Sequence, residues 1–226
     1  MSRDCVCVEP SILYFGTPVV LISTENEEGT ANLAPMSSAW WLGWRCMLGL
    51  SANSRTTENL LRTGSCVLNL PSVNEVSAVD RLARLTGSDP VPESKRARGY
   101  RHEGRKFEAA GLTPVASLTV APPRVLECPV QMEAVLADRH GVGEDSPCKG
   151  GLMAIEVRIL RVHVYPEILM DGHPNRIDPD KWRPLIMSFQ KFYGLASGQV
   201  HGSRLGEIPE ASYRSPDLDR ARFTED

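Results

Sequence analysis

The sequence contains neither a Gly-x-Gly-x-x-Gly fingerprint nor a Gly-x-Ser-x-Gly elbow. The first absence disfavours a Rossmann dinucleotide site, and the second disfavours an α/β-hydrolase. The apolar runs are short and interrupted, which argues against a membrane-spanning helix. The first residues lack the apolar core of a secretory signal peptide, so we expect a cytoplasmic protein with no membrane partner.

A basic excess is also missing. The 226 residues include 25 Lys and Arg against 28 Asp and Glu, which gives a net charge of −3. Nucleic-acid-binding proteins usually carry the opposite bias. Arginines gather at 96–105 and 214–222, but acidic residues are interspersed among them, as on an ordinary solvated surface. We therefore expect no nucleic-acid partner.

Metal-ligand spacing is absent as well. Cys5 and Cys7 have the wrong spacing for a zinc knuckle, and the sequence has no Cys-x-x-Cys pair. The five histidines are scattered, without the close spacing typical of a zinc site. Cys46, Cys66 and Cys128 lie in apolar runs and are predicted to be small buried hydrophobes. We expect no metal centre, and we expect free thiols.

The most informative stretch runs from residue 32 to residue 59. It opens with Asn-Leu-Ala-Pro-Met-Ser-Ser at 32–38 and reaches the polar turn Ser-Ala-Asn-Ser-Arg-Thr-Thr at 51–57, where a helix is predicted to begin. Hydroxyls, free backbone N–H groups and a guanidinium at a helix N-terminus are suited to binding phosphate. The first segment places short polar side chains beside aromatic ones, which suits a flat heteroaromatic ring.

Each half of this stretch also has a simpler interpretation. Ser or Thr before a helix is often only an N-cap. Asn-x-Ala-Pro is often only a bend with an extended residue before proline. The two halves together, one strand apart, are much more specific than either motif alone.

Together these segments resemble the flavin reductase-like family, whose members form an FMN-binding split β-barrel. The matching segments are Pro18–Thr24, Glu28–Ser38, Leu48–Ser51, Ser54–Asn59 and Cys66–Pro71. The resemblance implies a mainly β fold with helices (α+β), an antiparallel six-stranded split β-barrel of the FMN-binding type over residues 1–170. Residues 171–226 would form a C-terminal extension that packs on the barrel or on a dimer partner.

The resemblance also implies cofactor-binding residues. Five match the segment that lies along the isoalloxazine ring and ribityl chain: Asn32, Ala34, Pro35, Ser37 and Ser38. Five match the phosphate turn: Ser51, Ser54, Arg55, Thr56 and Thr57. Asn59 is at the matching helix position, where it either contacts the cofactor or serves only as a cap. FMN is the implied cofactor, with FAD as the alternative and NAD(P)H as the co-substrate.

The activity favoured by the resemblance is NAD(P)H-dependent reduction of flavin. Because a flavin carries its own hydride chemistry, no acid–base pair is required, and no catalytic residue is predicted. A first alternative is a monooxygenase-type flavoprotein that uses bound FMN on a small organic substrate. A second is a flavin-binding protein without turnover.

Partners follow from the same resemblance. It implies a homodimer whose second subunit completes the flavin site, with Trp182 and Tyr193 as candidate contributions from that subunit. The further partner would be a small-molecule substrate or a flavin-dependent oxygenase.

Hydrophobic patterning predicts seven strands, the second of them bent at Pro35: 18–24, 30–43, 45–52, 66–70, 115–118, 124–137 and 152–168. Helices are predicted at 56–63, 74–85 and 103–110. Residues 87–99 are predicted to form a surface loop, and the aromatic stretch 178–193 is predicted to be partly helical.

Overall fold

A seven-stranded antiparallel sheet organises the molecule, for which the computed structural model describes residues 5–147 and 149–222. The strands are β1 Val20–Glu25, β2 Ala31–Met36, β3 Ala39–Leu42, β4 Arg45–Ser51, β5 Ser65–Leu70, β6 Val130–Val142 and β7 Leu152–Val164. Their order across the sheet is β2-β1-β5-β6-β7-β4-β3, so β2 and β3 are the edges and the barrel is not closed. The predicted antiparallel α+β split barrel is confirmed, with seven strands in this sheet instead of the expected six.

The two edge strands are consecutive in the chain. Met36, at the end of β2, pairs with Val20, whereas Ala39, at the start of β3, pairs with Leu48. Residues 37–38 therefore carry the chain from one edge of the sheet to the other. The prediction of one long strand bent at Pro35 was wrong. Pro35 pairs in register with Leu21, and an edge strand tolerates its missing N–H.

Five α-helices accompany the sheet in the described residues: α1 Arg55–Thr63, α2 Val76–Leu82, α3 Glu93–Arg96, α4 Lys106–Ala110 and α5 Pro216–Arg222. α1 begins after the N-cap Ser54 and ends at Gly64, whose φ of 70° favours glycine. α2 is shorter than the predicted helix at 74–85, because it follows a 3₁₀ turn at Val73–Glu75 and Leu85 joins a short parallel strand pair.

The remaining elements are short. The additional strands are Thr17–Pro18, Leu85–Thr86, Arg101–His102, Pro114–Val115, Arg124–Val125, Leu169–Met170, His173–Ile177, Ile186–Ser188 and Lys191–Tyr193. The other 3₁₀ turns are Pro166–Ile168, Arg204–Glu207 and Glu210–Tyr213. The pairing of Leu85–Thr86 with Arg101–His102 brackets residues 87–99, which include α3 and the buried Ser88. The surface-loop prediction for 87–99 was therefore only partly right.

Alternation along the first strand sends neighbouring side chains into two different cores. Val20 and Ile22 belong to the barrel interior. Val19 and Leu21 belong to an outer cluster that α2 and α4 cover. The cysteines predicted to be buried, Cys46, Cys66 and Cys128, are all buried, the first two in the interior and the third in the outer cluster.

The C-terminal region contains a hairpin where helix was predicted. Ile186–Ser188 pairs with Lys191–Tyr193, and Thr17–Pro18 adds a third strand. The turn residues Phe189 and Gln190 have φ of 43° and 65°, the geometry of a tight hairpin turn. The partly helical prediction for 178–193 was wrong, because pairing with the start of the chain overrides local propensity. Within residues 5–147 and 149–222, no helix combines the length and apolarity needed to cross a membrane.

Candidate functional site

A polar cavity of about 300 Å³ lies at the start of β2. Four segments line it: the β1–β2 hairpin, the first residue of α1, residues 87–89 and residues 102–104. Its polar lining includes Asn26, Glu28, Asn32, Arg55, Asp89 and His102. The guanidinium of Arg55 and several carboxylates therefore line the same cavity. The positions of these charges determine which ligand the cavity can bind.

Asn32 is the fixed point of this cavity. It is only 2% exposed, and its Nδ2 donates to the hydroxyls of Thr24 and Thr56, both at 3.2 Å. Its Oδ1 accepts from the Nζ of Lys106 at 3.0 Å. Three partners from three different segments thus hold one amide in a single orientation.

Lys106 is the unusual group of the site. It lies on the first turn of α4 and is 3% exposed, and within the described part of the chain its ammonium forms no ion pair. Loss of water lowers the pKa of its amine to about 8; repulsion from Lys95 and Arg55 acts in the same direction, and attraction to the carboxylate of Glu103 opposes it. A buried cation without a counter-ion is costly. Its presence therefore favours a site that is completed by an anion.

Arg55 brings a second cation to the cavity. Its Nε donates to the carbonyl of Gly87 at 3.2 Å, and its Nη1 lies 3.2 Å from a carboxylate oxygen of Glu58. A Cβ on Gly87 would lie 2.7 Å from Oδ1 of Asn32 and 3.0 Å from Cγ of Arg55. Only glycine leaves the amide and the guanidinium undisturbed at this close approach.

The hydroxyls of the predicted phosphate turn are largely engaged within the turn. The amide of Thr57 donates to Oγ of Ser54 at 3.1 Å, and its hydroxyl donates to the carbonyl of Ser51 at 2.8 Å. The first amides of α1, at Arg55 and Thr56, directly follow the N-cap Ser54 and have no acceptor within the helix. Ser51, Ser54 and Thr57 therefore shape the helix start.

Asn59 is 1% exposed and holds the neighbouring hairpin. Its Nδ2 donates to Oδ1 of Asn26 at 2.8 Å and to the hydroxyl of Thr24 at 3.1 Å. Asn26 lines the cavity, so the hydrogen bond from Asn59 helps to position the cavity wall. Its side-chain amide therefore holds the hairpin and does not cap α1, and its contact with a cofactor stays a prediction.

A second, apolar cavity of about 190 Å³ lies at the other end of β2. Its lining includes Val19, Pro35, Met36, Val79, Met187 and Phe192. Ser37 also lines it, and Ala34 lies between the two cavities along the strand. Met36 is four positions after Asn32 on the strand, so the two residues lie about 13 Å apart. Because β2 is an edge strand, one side of its backbone forms no sheet hydrogen bonds along this span.

Ser38 completes the predicted ring segment at the crossing between the two sheet edges. Its carbonyl accepts from the amide of Gly49 at 2.7 Å, and a Cβ on Gly49 would lie 2.9 Å from the Cβ of Ser38. The structure therefore distributes the predicted residues along one strand and the helix that follows it. Asn32 and Arg55 face the polar cavity, and Pro35 and Ser37 face the apolar one.

Sequence reasoning did not identify Lys106 or Gly87. Lys106 precedes Ala110 by four residues and shares the buried face of α4 with Phe107 and Ala110. A lysine on an apolar stripe is a detectable signal, because lysines are almost never fully buried. Gly87 carries no comparable signal, since its role depends on contacts with side chains far away in sequence.

The two candidates for contributions from a second subunit, Trp182 and Tyr193, differ in burial within one chain. Trp182 packs against the barrel interior, whereas Tyr193 is 52% exposed. No group of three or more His, Cys, Asp or Glu side chains is arranged for a metal ion among the residues that the structure describes.

The described residues fit a phosphate-bearing flavin. The buried ammonium of Lys106 forms no ion pair within the described chain, and Gly87 lets the side chains of Asn32 and Arg55 approach the cavity wall closely. The open strand edge then leads from this polar cavity, which Arg55 lines, to an apolar one, and an amphipathic cofactor with a phosphate tail needs both kinds of surface.

Comparisons with known proteins agree with this geometry. Residues 12–174 match the model of the flavin reductase like domain. YdfE of Bacillus subtilis (strain 168) is 38% identical over 188 residues, 83% of this chain and 88% of its own. Flavoredoxin of Desulfovibrio vulgaris (Miyazaki F) is similar in structure, with a TM-score of 0.70 at 20% identity over 90% of this chain and 100% of its own.

Nitrilotriacetate monooxygenase component B from Bacillus cereus has a TM-score of 0.67 at 22% identity, and the similarity covers 88% of this chain and 99% of that chain. At such identities the two solved structures establish a common fold. The family match covers most of the chain, including the barrel and the strand between the two cavities. The chain belongs to the flavin reductase-like family.

Proposed function

We propose that the protein binds FMN along β2, with the phosphate in the polar cavity and the ring ending at the mouth of the apolar cavity, beside Pro35 and Ser37 and outside the cavity itself. The observation that carries this proposal is the buried ammonium of Lys106, held by Asn32 and without an ion-pair partner in the described chain. A phosphate monoester supplies the missing negative charge. Bound FMN would supply hydride transfer, a chemistry that belongs to the cofactor.

The protein's own residues then have distinct tasks. Lys106 and Arg55 provide positive charge, and the first amides of α1 add backbone donors to the same end. Asn32 accepts a hydrogen bond from the lysine, and Gly87 permits the close approach of Asn32 and Arg55. We propose FMN as the cofactor and keep FAD as the alternative.

We propose NAD(P)H-dependent reduction of flavin as the reaction. The lining at the ring end is apolar, and hydride transfer between two stacked rings requires orientation instead of proton-transfer groups. The second candidate is a flavoprotein that acts on a small organic substrate or passes reduced flavin to a partner oxygenase. The apolar cavity beside Pro35 is the observation that favours this candidate.

We also propose that the protein is a homodimer. Large apolar side chains are exposed on and near the sheet, including Trp40 at 58%, Leu42 at 75% and Leu118 at 73%. A second copy covering these side chains would remove a large apolar area from water. Light scattering at micromolar concentration should give twice the mass of one chain, and the mass of a single chain with full FMN affinity would contradict a shared site.

The reaction is tested on the FMN-loaded protein without oxygen. NADH or NADPH should bleach the flavin absorbance, and free flavin should accelerate its return. If neither nicotinamide bleaches the bound flavin within minutes, the reductase proposal is wrong and the second candidate takes its place.

Binding is tested in the same preparation with Arg55→Ala. Loss of a charge-assisted hydrogen bond, worth about 1.5–3 kcal/mol, should weaken FMN binding by about tenfold or more. Arg62→Ala is the matched control, because Arg62 lies in the last turn of α1 and donates to the carbonyl of Glu25. Equal FMN affinity in the two variants would remove Arg55 from the site.

A further inference from the structure

The residues that line the apolar cavity are not suited to binding phosphate, so this cavity needs a different ligand. Among the described residues no lining side chain is charged, and Val19, Val79 and Phe192 present only hydrocarbon. The polar cavity, in contrast, has carboxylates and a guanidinium in its wall. The two spaces lie at opposite ends of the same edge strand. Because their linings differ in charge, they suit ligands of different polarity.

One wall of the apolar cavity comes from the C-terminal hairpin, which supplies Met187 and Phe192. The hairpin is fixed to the start of the barrel at several points. Met187 pairs with Thr17, and the carbonyl of Leu185 accepts from the amide of Val19 at 2.8 Å. These bonds make the wall a defined surface rather than a mobile flap.

The turn of the hairpin is anchored as well. The amide of Phe189 donates to the carbonyl of Tyr14 at 2.9 Å. The ring of Phe189 meets that of Phe15 edge to face, with centroids 5.0 Å apart. Both strands and the turn are thus held, which fixes the distance between Phe192 and Pro35 across the cavity.

We propose that this cavity binds the organic substrate of the flavin site, and that the substrate is a small, uncharged aromatic ring. The inference rests on the proposed function, since it places the substrate beside the ring-binding end of β2. Apolar cavities of about 150 Å³ bind benzene. A space of about 190 Å³ therefore accommodates one substituted ring. A charged substrate would lose its hydration without gaining a partner.

Met187 and Phe192 are the residues that set selectivity. A thioether adapts to the edge of an aromatic ring, and a phenyl group packs against one in stacked or edge-to-face geometry. Both side chains line the cavity together with Pro35 and Ser37, so their size affects how wide a ring is accepted.

The experiment uses the FMN-loaded protein and fluorine NMR. The probes are 4-fluorotoluene, which is neutral, and 4-fluorobenzoate, which has nearly the same shape and a negative charge. The neutral probe should bind about tenfold more tightly than the anion, because the cavity offers no compensating charge.

A matched pair of variants tests the location. Ala83→Leu fills the cavity, since Ala83 lines it, is exposed and follows α2 in helical conformation. Ala97→Leu is its control, because Ala97 is exposed and follows α3 in the same conformation. Binding of 4-fluorotoluene should fall about tenfold in the first variant, where the added side chain occupies the cavity, and stay unchanged in the second.

FMN affinity is measured in every sample, which separates this inference from the proposed function. If FMN fails to bind the parent protein, the proposed function fails. If FMN binds normally but Ala83→Leu leaves 4-fluorotoluene binding unchanged, the cavity is not the substrate site. Competition between 4-fluorotoluene and FMN would also overturn the inference, because the flavin ring itself would then occupy the cavity.

A second variant gives a gain instead of a loss. Phe192→Ala should widen the cavity, so 1-fluoronaphthalene should bind more tightly to the variant than to the parent protein. Thermal melting checks that the hairpin variant is folded. An unchanged preference between the one-ring and two-ring probes in a folded variant would exclude Phe192 as a selectivity residue.

Discussion

The two cavities at the ends of β2 are built by opposite means. The polar cavity is held by hydrogen bonds and charges, with Asn32 linking Thr24, Thr56 and Lys106. The apolar cavity is defined by packing between α2, β2 and a hairpin from the C-terminal region. One strand therefore borders two spaces of opposite chemistry, which under our proposals hold the cofactor phosphate at one end and the substrate at the other.

The largest expected effect comes from Lys106→Met, which tests whether the polar end recognises phosphate. FMN binding should weaken by about tenfold to a hundredfold, the value of a charge-assisted hydrogen bond. Riboflavin, which has no phosphate, should bind the variant and the parent protein equally. Fluorescence titration with both flavins gives the two affinities.

Lys95→Met is the control for this variant. Lys95 donates to the hydroxyl of Thr86 at 3.2 Å and is more exposed than Lys106, so its loss should change FMN affinity much less. Equal weakening of FMN and riboflavin by Lys106→Met would show that the lysine supports the fold of the site and does not contact phosphate.

The same variant should separate binding from stability. The lowering of the Lys106 pKa from 10.5 to about 8 corresponds to about 3 kcal/mol against the buried charge. Methionine removes that charge, so the flavin-free variant should melt at a temperature no lower than the parent protein at pH 7. A clear drop in melting temperature would contradict the view that the ammonium is stabilised mainly by its ligand.

An intermediate effect is expected from Gly87→Ala, which narrows the polar cavity without removing a charge. Its Cβ would lie 2.7 Å from the Asn32 amide oxygen, so the amide or the guanidinium of Arg55 must move. Misplaced charge-assisted hydrogen bonds should weaken FMN binding by about tenfold. Gly104→Ala is the matched control, because Gly104 lines the same cavity and its Cβ would come no closer than 3.8 Å to His102. Isothermal titration of both variants measures their FMN affinities. Equal affinities would contradict the role of Gly87 in the close contact with Asn32 and Arg55.

The smallest effect is a pH dependence of FMN affinity. Lys106 is charged below its pKa of about 8 and neutral above it. A phosphate monoester is already fully ionised above a pKa of about 6. FMN affinity should therefore fall by up to about tenfold between pH 7 and pH 9, and Lys106→Met should abolish this slope. A parent profile that is flat over this range would contradict the role of the ammonium.

Stability of the flavin-free protein should change with pH in the opposite direction. The folded-state pKa of Lys106 lies below its unfolded value, so the unfolded chain binds more protons between pH 8 and 10.5. This residue therefore makes folding more favourable as pH rises through that window. Comparing melting of the parent protein and Lys106→Met isolates the contribution of this one group.

The sequence predicted the site best where residues of suitable chemistry occur at a characteristic spacing within one segment. The segment 32–38 and the turn 51–57 carried the family resemblance, and both lie along the strand and helix that connect the two cavities. Gly29, in the β1–β2 turn, and Gly64, at the end of α1, both take positive φ, which glycine adopts readily. These features depend on local geometry, which a single segment encodes.

The features that sequence reasoning missed depend on contacts between distant segments. Gly87 meets Asn32 and Arg55 only after the segment at 87–89 folds back onto β2 and α1. The break at Ser37 and Ser38 results from a change of pairing partner, which patterning along one segment does not reveal. Residues 186–193 form a hairpin because the start of the chain provides a strand to pair with.

The pairing of that hairpin with Thr17–Pro18 also sets an order of assembly. A ribosome produces the chain from its N-terminus, so every residue lining the polar cavity, ending with Gly104, is made long before Met187 and Phe192. The apolar cavity gains its last wall only when the hairpin emerges and docks beside Val19. A nascent chain that stops short of residue 186 contains every residue that lines the polar cavity, but it lacks two of the residues that line the apolar one.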